Sequence, residues 1–447
     1  MWAAHLGKYA IGVSYDALPP EVRHAAKRCI LDWLSATIPG GGEEPARFIA
    51  SALDEETGTG SAKLIPNGLA ATPRAAALIN GTAAHTLEVD DIYRNGIYHP
   101  GPPVIAAVLA ACQSKNLSGH ELIEATVAGY EVSNRIARAI QPRHYDYWHT
   151  TGTVGAFGAA AGAARALGLS PDQTKHAIAN ATTFAAGLQQ AFRSDAMSKA
   201  LHAGRAAETG LLCAQMASHG VTGADNMLEG ERGFGNAMSE DVDWDVAFSD
   251  LGEAYTITEM TQKNHCCCGH TFAAIDAVLA IFEANQLSAA DIKKISVGTY
   301  TKALEVCGNR DPKTPYEAKF SLAYTVAMGA YQLRNLRLSA FSDEWLSDVT
   351  LRTLMDRVET HSDPRCDDVF PGHRSAYVEI ETLAGNVFSH HAPTRRGDPD
   401  AQLSDGELEG KFRELSGTIL SSKHSDHIIS RVWGLEELGD VNSLLSV

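Results

Sequence analysis

No cluster of Lys and Arg, no long apolar run and no repeated pair of closely spaced cysteines occurs in the 447 residues. Each absence closes off a class of function. The formal charge is −17, with 37 Lys and Arg against 54 Asp and Glu, so the basic stripe that displaces counterions from a nucleic acid is missing. The smoothest segment, "TVGAFGAAAGAARALGL", is Ala and Gly interrupted by Arg165, and no membrane span is expected from it. The N-terminus "MWAAHLGKYAIGVSYDALPPEV" lacks the basic-then-apolar order of a signal peptide. Eight cysteines without paired spacings point to reduced thiols in a cytoplasmic setting rather than to disulfides. No glycine-rich phosphate loop follows a strand pattern, which counts against a pyridoxal-phosphate racemase. Repeats and low-complexity segments are absent as well. What remains is a chain with 45% hydrophobic residues, long enough for two or three domains of roughly 100–200 residues. Its partner is expected to be a small molecule; an anionic one would need individually placed cations to overcome the acidic exterior.

The first 264 residues read as helices. "LPPEVRHAAKRCILDWLSATIPGGG" opens on prolines, carries Val22, Ala26, Cys29, Ile30, Trp33 and Leu34 at three- and four-residue steps, and stops at Pro39 and three glycines. Ser118 to Glu121, Ser170 to Gln173 and Ser404 to Glu407 fit the capping box. Small residues crowd "GAFGAAAGAARAL" and "KALHAGRAAETGLLCAQMA", permitting close helix packing. From 265 to 395 the pattern changes: Ile295 and Val297, then Ala376, Val378 and Ile380, alternate with polar neighbours, and Gly385-Asn386 reads as a hairpin turn. The expectation is a mainly α protein with a smaller α+β domain at 265–395, and a helical tail, 396–447, rejoining the first domain.

Four stretches could carry chemistry. In "AAHTLEVDDIYRNGIYHPG", Glu88, Asp90 and Asp91 crowd three carboxylates into four positions ahead of His99, an arrangement that repulsion disfavours unless cations, donors or shared protons offset it. In "QPRHYDYWHTTGTVGAFG", Tyr145 and His149 precede a glycine-rich helix start and can exchange protons. "AFRSDAMSKALHAG" places Arg193 and Lys199 near a helix start, where a cation gains nothing from the helix dipole and an anionic ligand would explain it. In "TQKNHCCCGHTFAAIDA", Lys263 and His265 would share one face of an extended segment. The run Cys266, Cys267, Cys268 cannot fill one zinc shell, since adjacent residues diverge and structural sites use two C-x2-4-C pairs. A single reactive thiol, or a thiol-based redox protein, is the rival reading.

Taken in chain order, "INGTAAHTLEVDD" with "HPG", "HTTGTVGAFGAAAGAA", "SDAMSKALHAGRAAETGLL", "LEGERGFGNA", "KNHCCCGHTFAAIDA" and "EAKFSLAY" resemble the MmgE/PrpD family over nearly the whole length. The resemblance implies a large helical domain built from both chain ends, a smaller α+β domain, a homodimer, and an active site between the domains that uses no cofactor and no metal. Members of the family dehydrate 2-methylcitrate, decarboxylate cis-aconitate or epimerise iminodisuccinate. Carried onto matching positions, it implies a pocket using the acidic cluster Glu88, Asp90 and Asp91, with His99, His149, Lys199 and the Lys263 loop.

The chain departs from the lyase members in ways that matter. Those members resemble "DFxDTW" after the acidic motif, whereas Ile92, Tyr93 and Arg94 follow Asp91 here. The decarboxylase histidine five residues after the motif lysine is matched by Cys268, and Arg193 stands where smaller residues are usual. The "KNHCCCGH" form is most similar to the epimerase branch. The expected activity is therefore a two-base epimerisation of an iminodisuccinate-like polycarboxylate, with a dehydratase- or decarboxylase-like lyase as the alternative. Tyr145 or His149 would serve one face of the carbon and Lys263, His265 or Cys268 the other. Glu88, Asp90, Asp91, His99, Arg193 and Lys199 would bind the substrate.

Overall fold

A computed structural model describes residues 1–192 and 196–446. The protein is mainly α with an α+β portion, as its sequence pattern indicates. Two compact units emerge: Met1–Thr86, Asp90–Met260 and Ser404–Val447 form the first, and Leu87–Val89 with Thr261–Leu403 the second. Among the described residues no helix is long and apolar enough to cross a membrane.

In the first unit, buried helices Pro73–Thr86, Gly101–Lys115, Gly119–Ala139, Gly155–Ala166 and Ser198–Ser218 pack around a core of Ala, Val, Ile and Leu. Both chain ends take part, because helix Asp405–Ser416 packs on Pro20–Gly40. The buried Lys411 ammonium donates to Asp32 Oδ1 at 2.6 Å across that contact. A charge pair so deep is strongly destabilising to break from one side, which makes it a specific tie between the two ends of the chain. The capping boxes at Ser118, Ser170 and Ser404 are all present, each hydroxyl accepting from the backbone N–H three residues on.

Small residues set how near these helices approach. Gly204, on the helix that carries Lys199 and His202, lies so close to helix Pro73–Thr86 that an added Cβ would run into Leu78 O and Thr82 Oγ1. Backbone oxygen does not swing away as a flexible side chain does. Gly204→Ala is therefore expected to cost about 1–3 kcal/mol through overpacking, read as a lower Tm, and to lower activity by shifting Lys199 and His202. A variant with unchanged Tm would show that the helices part freely at this point.

The second unit holds one four-stranded sheet. Strand β1 (Ile292–Thr299) pairs in parallel with β2 (Val358–Ser362) and antiparallel with β3 (Ala376–Thr382), and β3 pairs antiparallel with β4 (Val387–Ala392). Ile295, Val297, Val378 and Ile380 are buried, as the alternation indicates. Gly385 takes φ +83° in the β3–β4 turn, where Asn386 O accepts from Thr382 N–H. Helices Phe272–Asn285 and Leu322–Gln332 pack together against this sheet.

Candidate active site

The three crowded carboxylates avoid mutual repulsion by diverging to different partners. Glu88 has a left-handed backbone, φ +61°, which a non-glycine residue adopts only when its surroundings hold it there. Lys263 Nζ supplies that hold, donating to Glu88 O at 3.1 Å and to Glu88 Oε2 at 3.3 Å, and Lys319 Nζ donates to Leu87 O at 3.0 Å. All three charged side chains are buried. Asp90 turns instead to His85, whose Nδ1 lies 2.7 Å from Asp90 Oδ2, and to His99, whose Nδ1 is 2.9 Å from the same oxygen. Asp91 faces a third way, accepting from Tyr130 Oη at 2.8 Å and from Gly101 N at 2.9 Å.

Asp91 is thus packed into the helical core. Burial, with Asp32 as the next contributor, pushes its carboxyl up to about 8. The folded value lies above that of an ordinary aspartate, 3.8, so the stability contributed by the bound proton is complete below that value and lost as pH rises towards about 8. Asp91→Asn is expected to flatten the fall of Tm between about pH 5 and 8. Thermal unfolding at constant ionic strength reads the slope; an identical slope in the variant would mean that Asp91 is ionised in the native protein.

Around Asp90 the first unit gathers imidazoles. His149, in the N-cap position of the short helix Thr150–Thr153, places Nδ1 3.0 Å from Nδ1 of His202. His85 stacks on His149 with ring centres 5.4 Å apart. The Phe192 ring meets His149 edge-on at 4.8 Å, Tyr145 at 6.4 Å and the Lys199 ammonium at 5.4 Å. Burial lowers His149 well below the usual histidine value, with His85 and His202 adding to it. His85 falls to about 3, chiefly through burial, and His202 to about 4 through burial and then Lys199. These rings are neutral at physiological pH, the form in which imidazole accepts a proton. Neutral His85 donates Nδ1–H to Asp90, and its buried Nε2 has no hydrogen-bond partner among the described residues. Among the described residues, His85, Asp90 and His99 also form the one set of donors close enough to hold a metal ion, within 4.8 Å of one another. Lys199, Tyr145, His149, Asp90 and His99 are thus brought together, while Arg193 lies outside the described residues.

The cysteine-rich bend is not the extended segment that alternation suggests, and Lys263 and His265 reach different partners. His265 Nδ1 accepts from Leu336 N–H at 3.0 Å, which leaves Nε2–H to donate to Asp276 Oδ1 at 3.0 Å. With both nitrogens engaged, His265 anchors the bend. Asn264 and Asn335 exchange a reciprocal amide pair at 3.0 Å, and Arg395 donates to Gly269 O at 3.2 Å. Cys266, Cys267 and Cys268 are buried, and burial pushes the Cys267 thiol up, away from thiolate character. The scaffold holds Lys263, at 1% exposure, in a fixed place. His85, His202 and Lys319 went unread in the sequence. Their available signals were His202 three residues after Lys199 in "SKALHAG", His85 inside "AAHTLEVDD", and Lys319 in "EAKFSLAY".

Comparison with known proteins gives concordant matches. The MmgE/PrpD N-terminal domain matches residues 4–247 and the MmgE/PrpD C-terminal domain residues 265–435. A cis-aconitate decarboxylase-like protein, oryM, of Aspergillus oryzae is 26% identical, covering 99% of this chain and 96% of its own. Cis-aconitate decarboxylase of Aspergillus terreus is 26% identical (98% and 94% covered), and that of Homo sapiens 27% (98% and 92%).

Proposed function

Because the chain belongs to the MmgE/PrpD family, we propose that it moves a proton at a carbon beside a carboxylate of a small polycarboxylate, and that it does so as an epimerase. The observation that carries the isomerase reading is Ile92, a buried apolar residue directly after the acidic motif. Lyase members resemble a motif with a threonine hydroxyl there, so a group able to assist a leaving oxygen is missing. Cys268 standing in place of the decarboxylase histidine supports the same reading.

Inversion without a cofactor needs one group that removes the proton and another that returns it on the opposite side. We assign His149, with Tyr145 beside it across Phe192, to one side and Lys263 to the other. Lys199 and Arg193 supply positive charge for the substrate carboxylates and for the enolate-like intermediate. Asp90 fixes His85 and His99, and His265 holds the bend. A homodimer and an iminodisuccinate-like substrate belong to this reading. The lyase reading is second, favoured by relatives named cis-aconitate decarboxylase that align with almost the entire chain.

Incubation in deuterated water with iminodisuccinate stereoisomers, and separately with cis-aconitate, decides between them. Deuterium at an inverted centre with no new double bond is the expected result. Carbon dioxide release from cis-aconitate, or an unsaturated product without inversion, would establish the lyase.

A further inference from the structure

The histidine that the proposed chemistry relies on does not stand alone. His149 and His202 face each other Nδ1 to Nδ1 at 3.0 Å, and a hydrogen bond between two neutral rings holds one proton. The chain is shaped for this contact. His149 N–H donates to Gly187 O at 2.9 Å, fixing the backbone beside the pair. Gly187, at φ +145°, would bring a Cβ to 3.3 Å from His202 Nδ1, and Gly152 would bring one to 3.1 Å from His202 Cβ. Two glycines therefore leave the space that His202 fills beneath His149. His202 sits one turn after Lys199 on helix Ser198–Ser218, so the helix that presents the ammonium also presents the ring.

A single shared proton leaves two arrangements. If His149 donates, its Nε2 keeps the lone pair; if His202 donates, His149 carries its proton on Nε2 instead. Only the first leaves His149 able to withdraw a proton from carbon. We propose that His202 is a positioning residue that accepts the Nδ1 proton of His149 and thereby holds His149 in the tautomer with an unprotonated Nε2. This rests on the reading of His149 as a proton-exchanging group. A ring neighbour that fixes the tautomer of a working imidazole acts through orientation as much as through charge.

Ring-15N histidine spectra of the intact protein, assigned with His149→Gln and His202→Asn variants, test the tautomer without reference to turnover. The expected spectrum has His149 protonated at Nδ1 and bare at Nε2. His202→Ala is expected to lose the fixed tautomer and to lower kcat about 10- to 100-fold, with KM changed by less than about threefold. His202→Asn sets an amide oxygen near the position of Nδ1 and is expected to restore both the tautomer and most of kcat. A wild-type His149 protonated at Nε2 overturns the proposal, as does a folded His202→Ala with undiminished kcat. Should His202→Ala fail to fold, the wild-type and His202→Asn spectra still decide it. A correct tautomer together with a fully active His149→Ala would overturn the role of His149 and leave the pairing intact.

Discussion

Lys263→Ala is expected to lower turnover by at least about 10²- to 10⁴-fold, the range for a general acid or base. The ammonium is buried, touches the carbonyl and carboxylate of Glu88, and sits on a bend tied down by His265, Asn264 and Arg395. Truncation also removes the cation from a carboxylate that water does not reach, so stability falls, by about 3–5 kcal/mol if the pair behaves as buried pairs do. The two losses can be separated. Lys263→Ala/Glu88→Gln removes the stranded charge and should regain most of the Tm while turnover stays low. Circular dichroism and thermal unfolding report the first effect, and initial rates the second. Near-wild-type turnover in either folded variant would remove Lys263 from the chemistry and leave it as the restraint on the left-handed Glu88 backbone.

That coupling between Lys263 and Glu88 marks where sequence reading stops. The capping boxes were legible because a serine and the residue three places on meet within one turn. Strands β1 and β3 were legible because alternation is a local property, and β4, where only Ala392 is buried, because the Gly385-Asn386 turn implies a returning strand. Strand β2 was missed: in "VETHS" only Val358 is buried, so no apolar alternation advertises it. Lys263 and Glu88 are 175 positions apart, and nothing near either residue announces the other. The acidic cluster was visible as a problem of repulsion, yet its solution depends on three partners, Lys263, His85 and Tyr130, that only tertiary folding supplies. His265 shows the converse error. Residue spacing made it look like a companion of Lys263, and the bend instead spends both its nitrogens on Leu336 and Asp276.

His149→Ala is expected to lower turnover over the same range of about 10²- to 10⁴-fold, and its isotope exchange is more informative than its rate. In a two-base epimerase each group serves one face of the carbon. With His149 removed, the epimer whose hydrogen faces Lys263 can still surrender that proton and receive a solvent deuteron on the same side, so label enters without inversion. The other epimer is left inert. Lys263→Ala should give the mirror result, with exchange surviving only in the epimer that His149 serves. Tyr145→Phe extends the test: if the phenol works on the His149 side, it impairs exchange of the same epimer as His149→Ala, and if it does not, exchange persists in both. Following deuterium incorporation into each pure epimer by NMR reads all three variants in one experiment. Loss of exchange from the same epimer in both His149→Ala and Lys263→Ala would mean that one face carries the whole reaction. That outcome would end the two-base assignment, because inversion by a pair of opposed groups requires the two variants to fail on opposite stereoisomers.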